Sequence, residues 1–157
     1  MGLDMYLSRR KYIGANYEHR NIHGEIKIFQ GEKEIPIDFN KVSEIREAVG
    51  YWRKANQIHS WFVENVQDGE DDCGSYLVDA DKLRELLDLC KRVKEDPSKA
   101  DELLPTQEGF FFGDTDYDEY YYQDIDDTIE LLEELLEEDK KLKEKGLWVD
   151  YEYSSSW

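Results

Sequence analysis

The two ends of the chain carry the pattern that most restricts its fold. In Gly2–Ile13 apolar residues alternate with polar ones, and the same alternation returns in Leu147–Tyr153. A period of two residues is typical of a strand with one buried face. Glu25–Gln30 and Glu34–Phe39 are short, rich in Ile and Phe, and separated by Gly31-Glu32-Lys33, which predicts a hairpin. We therefore expect a small, mainly antiparallel sheet made of N- and C-terminal strands plus a hairpin.

Apolar residues recur at helical spacing between these strands. Over Val42–Val66 an apolar residue appears every three or four positions, which predicts one long packed helix. Asp79 is placed to cap a second helix that runs to about Glu95, and a third is predicted over much of Asp114–Asp139. Three or more helices packed on such a sheet make an α+β fold. The length of 157 residues favours one domain, residues 1–157.

Charge excludes several classes of function. Lys and Arg number 20 against 38 Asp and Glu, which gives a net charge of -18, the reverse of what a nucleic-acid binder needs. No apolar run approaches the length of a membrane span, and Met1–Lys11 lacks the apolar stretch of a signal peptide. We expect a protein of the cytoplasm, in this case a host cell's cytoplasm, that contacts neither nucleic acid nor membrane directly.

The acidic excess is concentrated in the C-terminal half. Asp114–Asp139 holds 13 acidic residues in 26 and no Lys or Arg. Ile and Leu at helical spacing underlie this charge, so one interpretation is the solvated face of an amphipathic helix. The alternative is a partner-binding face that imitates nucleic acid and blocks a basic host protein. Its candidate residues are Asp124, Asp127, Glu134 and Glu138.

A second candidate site lies in the predicted helix Val42–Val66. On a helix, Trp52, Asn56 and His59 share one stripe, so an indole, an amide and an imidazole would project together. This stripe predicts a pocket for a planar, hydrogen-bonding ligand, with Arg53 available for a phosphate. The other interpretation of His59 is a core histidine whose nitrogens are satisfied internally. The remaining candidate ligand-binding residues are Asn65, Gln67, Thr106 and Phe112.

The cysteines, the histidine pair and the acidic loop give little indication of a catalytic or metal site. Cys90 belongs to an apolar helical stripe and is expected in the core, whereas acidic neighbours make Cys73 a poor nucleophile. The acidic loop Asp68–Asp72 departs from the spacing of an EF-hand. His19 and His23 lie four apart in a loop-like segment rather than a helix. We predict no metal site, no cofactor and no catalytic residue.

Several unusual segments together resemble one protein family. They are Met1–Leu7 (MGLDMYL), Tyr51–Val63 (YWRKANQIHSWFV), Leu104–Thr106 with Gly109–Gly113 (LPT and GFFFG), and Tyr153–Trp157. These segments are similar to a small family of unknown function whose members occur in bacteriophages, prophages and bacteria. The resemblance implies a phage-associated accessory protein and brings no assigned catalytic residues.

Three functions remain open from the sequence. The first is a non-catalytic binding protein that sequesters a small nucleotide-like or other planar polar ligand in phage–host conflict, as a counter-defence. The second is the acidic inhibitor of a basic host protein described above. The third is a small hydrolase that uses His59, oriented in space by Asp4 or Asp72. An exposed aromatic patch would favour a homodimer.

Overall fold

The computed structural model describes residues 1–14 and 24–157; His19 and His23 lie outside them. Within those residues the chain forms six strands: β1 (Asp4–Tyr12), β2 (Ile28–Gln30), β3 (Lys33–Ile35), β4 (Glu44–Arg53), β5 (Ser75–Val78) and β6 (Val149–Ser156). It also forms four α-helices there: α1 (Asn56–Val66), α2 (Ala80–Glu95), α3 (Ala100–Leu103) and α4 (Glu119–Glu144). The α+β fold class is confirmed.

The main sheet has the strand order β4-β1-β6-β5, and its neighbours are all antiparallel. The N-terminal strand β1 lies in the middle and pairs with both β4 and the C-terminal strand β6. Strands β2 and β3 form the predicted hairpin around Gly31-Glu32, shorter than expected and separate from the main sheet. All six residues of these two short strands are exposed.

The helices cover one face of the main sheet. Alternate residues of the N-terminal segment, Leu3, Met5 and Leu7, are fully buried and belong to one hydrophobic cluster with residues of α1, α2 and α4. Phe62 of α1 stacks on Tyr153 of β6 with ring centroids 3.9 Å apart. The core is therefore a single layer between the sheet and the helices. Cys90 lies in that core, as expected.

The long helix predicted over Val42–Val66 is wrong in its first half. Residues 44–53 form strand β4, and α1 begins only at Asn56. A β-bulge shifts the register opposite Leu7 and Ser8 of β1, which spaces the apolar residues of β4 irregularly and imitates helical spacing. A Cβ at Gly50 would lie 3.1 Å from Cβ of Leu7, so this glycine allows β4 to pack closely against β1.

The remaining predicted helices agree with the structure apart from small differences at their ends. Asp79 is the N-cap residue of α2, which ends at Glu95, although its side chain makes no capping hydrogen bond. In α4 the cap is Asp118, and its carboxylate accepts from the amides of Tyr120 and Tyr121. Such a cap satisfies two amide groups that the helix itself leaves unpaired.

Candidate functional site

A pocket of about 340 Å³ lies where three parts of the chain meet. It is lined by the end of β4 and the start of α1, by residues between Thr106 and Asp118, and by the first turns of α4. Its volume falls at the lower end of the range that holds small ligands. We call it the charged pocket because its lining carries two cationic side chains, Arg53 and Lys54, and four carboxylates, of Asp114, Asp116, Asp118 and Asp124.

Asn56 assembles this pocket. Its side chain is buried, and Nδ2 donates to the carbonyl oxygens of Phe112 at 3.1 Å and Asp114 at 2.8 Å. Its Oδ1 accepts from the amide of Gln107 at 3.0 Å. One amide group thus makes three hydrogen bonds that hold residues 107–114 against the start of α1. Asn56 positions the wall of the pocket, and its hydrogen-bonding groups are already used within the chain.

The cationic side of the pocket comes from the turn between β4 and α1. Lys54 has a φ of 57°, a left-handed conformation that reverses the chain. The Lys54 side chain lies along Gly113, where an added Cβ would be 3.2 Å from Cβ of Lys54. Arg53 is exposed, and its Nη1 lies 3.0 Å from Oδ1 of Asp4. Lys54 is therefore the cation with more freedom to meet a ligand.

The acidic side of the pocket includes a carboxyl group in an unfavourable environment. Burial raises the pKa of Asp124 to about 6, although the hydrogen bond from Gln57 acts in the opposite direction. Gln57 is itself buried, and its Nε2 lies 3.4 Å from Oδ2 of Asp124 and 3.3 Å from the carbonyl of Tyr121. A carboxyl group whose pKa is raised in this way is typical of functional sites, although ion-pair networks also shift pKa values. The ring of Tyr120, 73% exposed, stands beside it in the lining.

The structure brings only part of the predicted ligand-binding set together. Arg53, Asn56 and Thr106 line the charged pocket. Trp52 does not share a helix with Asn56, because it belongs to β4; its buried Nε1 donates to Oγ1 of Thr128 at 2.9 Å. Its place in the predicted helical stripe is therefore wrong.

Three other predicted residues are away from the charged pocket. Phe112 is buried and packs edge-on against His59, with centroids 5.2 Å apart. Gln67 is buried and donates to the carbonyl of Glu70. Asn65 donates to the carbonyl of Trp61 at 2.9 Å and borders a separate depression of about 120 Å³. These side chains organise the core and the loop after α1.

His59 occupies the environment of a structural histidine. Its side chain has 0% exposure. Its Nδ1 lies 2.7 Å from the hydroxyl of Tyr153, and Nε2 lies 2.9 Å from Oδ2 of Asp71. The carboxylate of Asp71, rather than of Asp4 or Asp72, orients the ring, and it also accepts from Nε1 of Trp157 at 3.0 Å. With both nitrogens engaged and the ring enclosed, the imidazole is not placed to meet a substrate.

The four acidic residues proposed for partner binding lie in different surroundings. Asp124 lines the charged pocket, and Glu138 accepts from the buried Arg9 at 2.8 Å. Asp127 and Glu134 are exposed on α4 and share a face with Glu130 and Glu137 by their spacing of three and four residues. The ion pairs found among the described residues include none of these last four carboxylates.

Sequence reasoning missed Lys54, Gln57, Tyr120 and the aspartates at 114, 116 and 118 as pocket residues. The alternation Asp-Thr-Asp-Tyr-Asp before α4 was a usable signal, because acidic residues just before a helix are typical caps and loop formers. Across residues 1–14 and 24–157, no group of three His, Cys, Asp or Glu side chains is arranged to hold a metal ion. In the same ranges no helix is long and apolar enough to span a membrane.

Comparison of the chain with protein-family models, with curated proteins and with solved structures finds no match. The functional argument therefore depends on the geometry of the charged pocket and of the surfaces around it.

Proposed function

We propose that this chain acts by binding, and that the charged pocket sequesters a small planar polar ligand as part of phage–host conflict in the cytoplasm of an infected cell. The observation that carries the proposal is the composition of the pocket. An ammonium group, an exposed aromatic ring and a carboxyl group that titrates near pH 6 share one 340 Å³ cavity. The resemblance to phage and prophage proteins supplies the biological setting.

A nucleotide-like ligand fits this arrangement. A phosphate would pair with Lys54 and Arg53, because ammonium and guanidinium groups are the usual protein partners of phosphate. A base would stack on Tyr120, since every base offers a π-face. An amino group on that base would donate to Asp124. Four carboxylates against two cations in the lining restrict the ligand to a low negative charge.

Binding is favoured over catalysis by the side chains that the pocket contains. The described lining residues include no serine, cysteine or histidine, and the hydroxyl of Thr106 already donates to the carbonyl of Thr115 at 2.9 Å. The buried His59 is occupied by Tyr153 and Asp71. A hydrolase function would require the imidazole to reach solvent.

The first experiment is native mass spectrometry of the protein purified from its producing cell, followed by denaturation and analysis of the released molecules. A released nucleotide or other planar polar molecule would support the proposal. Its affinity is then measured for wild type and for Tyr120→Ala and Asp124→Asn, with Glu137→Gln as a control on the exposed face of α4. We expect the two pocket variants to weaken binding about tenfold or more and the control to leave it unchanged. Equal affinity in all four proteins would refute the pocket.

A second candidate function is supported by the exposed acidic stripe Asp127, Glu130, Glu134 and Glu137. These carboxylates span about 15 Å along α4, and the ion pairs among the described residues leave them out. Such a stripe suits a basic protein partner that normally holds nucleic acid. A host protein that co-purifies, leaves at high salt and is lost in the double variant Glu134→Lys, Glu137→Lys would favour this function. Retention by the double variant would count against it.

A further inference from the structure

One face of the main sheet carries no covering layer among residues 1–14 and 24–157. The helices pack on the face that carries Met5 and Leu7, and the residues that alternate with these point the other way. On that outer face Tyr6 is 42% exposed, Tyr51 is 53% exposed and Leu77 is 62% exposed. Exposed large side chains on a regular sheet face indicate a surface built for contact.

Two of the exposed rings lie side by side on adjacent strands of the outer face. Tyr6 of β1 is paired with Tyr51 of β4 and with Ser154 of β6, and the two tyrosine rings lie 5.6 Å apart. One step further along the sheet, Ser8 is paired with Ala48. Side chains of two packed sheets interdigitate, so protruding rings beside small side chains suit contact with a second sheet.

Charge on this face is nearly balanced, in contrast to the rest of the molecule. Three arginines lie against carboxylates of other strands of the sheet, two on an adjacent strand and one on the strand beyond it. The pairs are Arg53 with Asp4 at 3.0 Å, Arg10 with Asp150 at 3.9 Å, and Arg46 with Glu152. Residues 67–157, which supply α2 and α4, contain 29 acidic and 10 basic residues, whereas residues 1–66 contain 9 and 10. Self-association through the helical side would bring two strongly negative surfaces together.

We propose that the outer face of the sheet is the interface of a homodimer, in which a second copy of this chain packs face to face about a twofold axis. Two packed sheets lie about 10 Å apart, so the acidic helices of the two copies would be on opposite outer sides. The helices are then farther apart than the two sheets, at more than the Debye length of about 8 Å at physiological salt, so their repulsion is largely screened there and acts mainly at low salt. Because each arginine on this face already lies against a carboxylate, two copies of the face would bring little net charge together.

The size of the face predicts a dimer of modest affinity. Three long strands and one short strand, spaced about 4.8 Å apart and up to about 30 Å long, cover on the order of 500 Å² in each copy. Both copies together then bury about 1,000 Å², the lower limit for a specific interface. We therefore expect a dimer with a Kd in the micromolar range.

The test is sedimentation equilibrium of the full chain over the micromolar range at low and high salt. The mass should rise from 18.7 kDa to twice that value with concentration. Salt should strengthen the dimer, because it screens repulsion between the acidic halves. Tyr6→Glu and Ala48→Glu place an unpaired carboxylate in the interface and should each weaken the dimer by about a hundredfold. Phe110→Glu changes an aromatic residue that is 95% exposed outside the sheet and is the matched control.

Three results would overturn the proposal. The first is a monomer at every concentration, and the second is a dimer that Phe110→Glu dissociates while Tyr6→Glu and Ala48→Glu do not. The third is a dimer that salt dissociates, because that behaviour would indicate contact between a basic and an acidic surface. Circular dichroism of each variant shows that a lower mass reflects lost association and not lost folding.

Discussion

The fold opposes the ionisation of Asp124, and an asparagine at this position tests that conclusion directly. Burial raises the pKa of this carboxyl from its ordinary value of 3.8 to about 6. Asparagine has almost the same shape and keeps an oxygen that can accept from Nε2 of Gln57. The substitution Asp124→Asn therefore removes the negative charge and preserves the packing.

The size of the effect follows from the linkage between proton binding and folding. Between about pH 4 and pH 6 the folded chain holds a proton on Asp124 that the unfolded chain has released, so stability falls as the pH rises through this window. Two pKa units correspond to about 3 kcal/mol, and partial exposure of the carboxyl reduces this to about 1–2 kcal/mol. Above the window Asp124→Asn should be more stable than wild type by that amount; below it the two should be equal.

Urea unfolding at about pH 4 and pH 7.5, with the free energy extrapolated to water, measures both values. Asp127→Asn is the control, because it removes the same charge from the same helix at an exposed position and should change stability by no more than about 0.5 kcal/mol. The reasoning fails if Asp124→Asn is destabilised at pH 7.5, or if its advantage does not depend on pH. A carboxylate that lowers the stability of the fold is expected where the group serves to bind a ligand.

Three further outcomes follow from the contacts described above. Asp71→Asn weakens the hydrogen bond to the buried His59 and should lower the free energy of unfolding by about 1.5–3 kcal/mol without changing ligand affinity; unchanged urea stability would show that the bond contributes nothing. A thiol reagent should label the exposed Cys73 in the native protein and reach Cys90 only after unfolding, because burial raises the pKa of Cys90 to about 12; rapid native labelling of both, read by mass spectrometry, would contradict the packing. Gly113→Ala places a side chain at a φ of 87° and should cost about 1–3 kcal/mol in thermal unfolding, and a variant as stable as wild type would argue against this turn.

The parts of the fold that short-range patterns determine could be predicted from the sequence. The alternation in β1 and the apolar stripe of α2 each report a single buried face, so their ends are close to those observed. Strand β4 could not be predicted in this way. Its bulge breaks the period of two, and its conformation depends on pairing with β1, which lies some forty residues away in the chain.

The pocket was harder to predict than the fold because its assembly depends on distant contacts. Asn56 is recognisable as a polar residue in an apolar stretch, but its partners, the backbone groups of Gln107, Phe112 and Asp114, carry no signal in the sequence. The error at Trp52 has the same origin. The predicted helix placed Trp52 and Asn56 on one face, whereas Trp52 lies in β4 and Asn56 is the first residue of α1.

The three hydrogen bonds of Asn56 connect ligand recognition to the melting of the whole chain. Because this side chain joins residues 107–114 to a helix that fills the core, the pocket exists only while the core is folded. A ligand that occupies it therefore stabilises the native state as a whole, by about 2.7 kcal/mol at a hundredfold excess over its Kd. Thermal denaturation in the presence of compound libraries thus becomes a search for the ligand that needs no assay of activity.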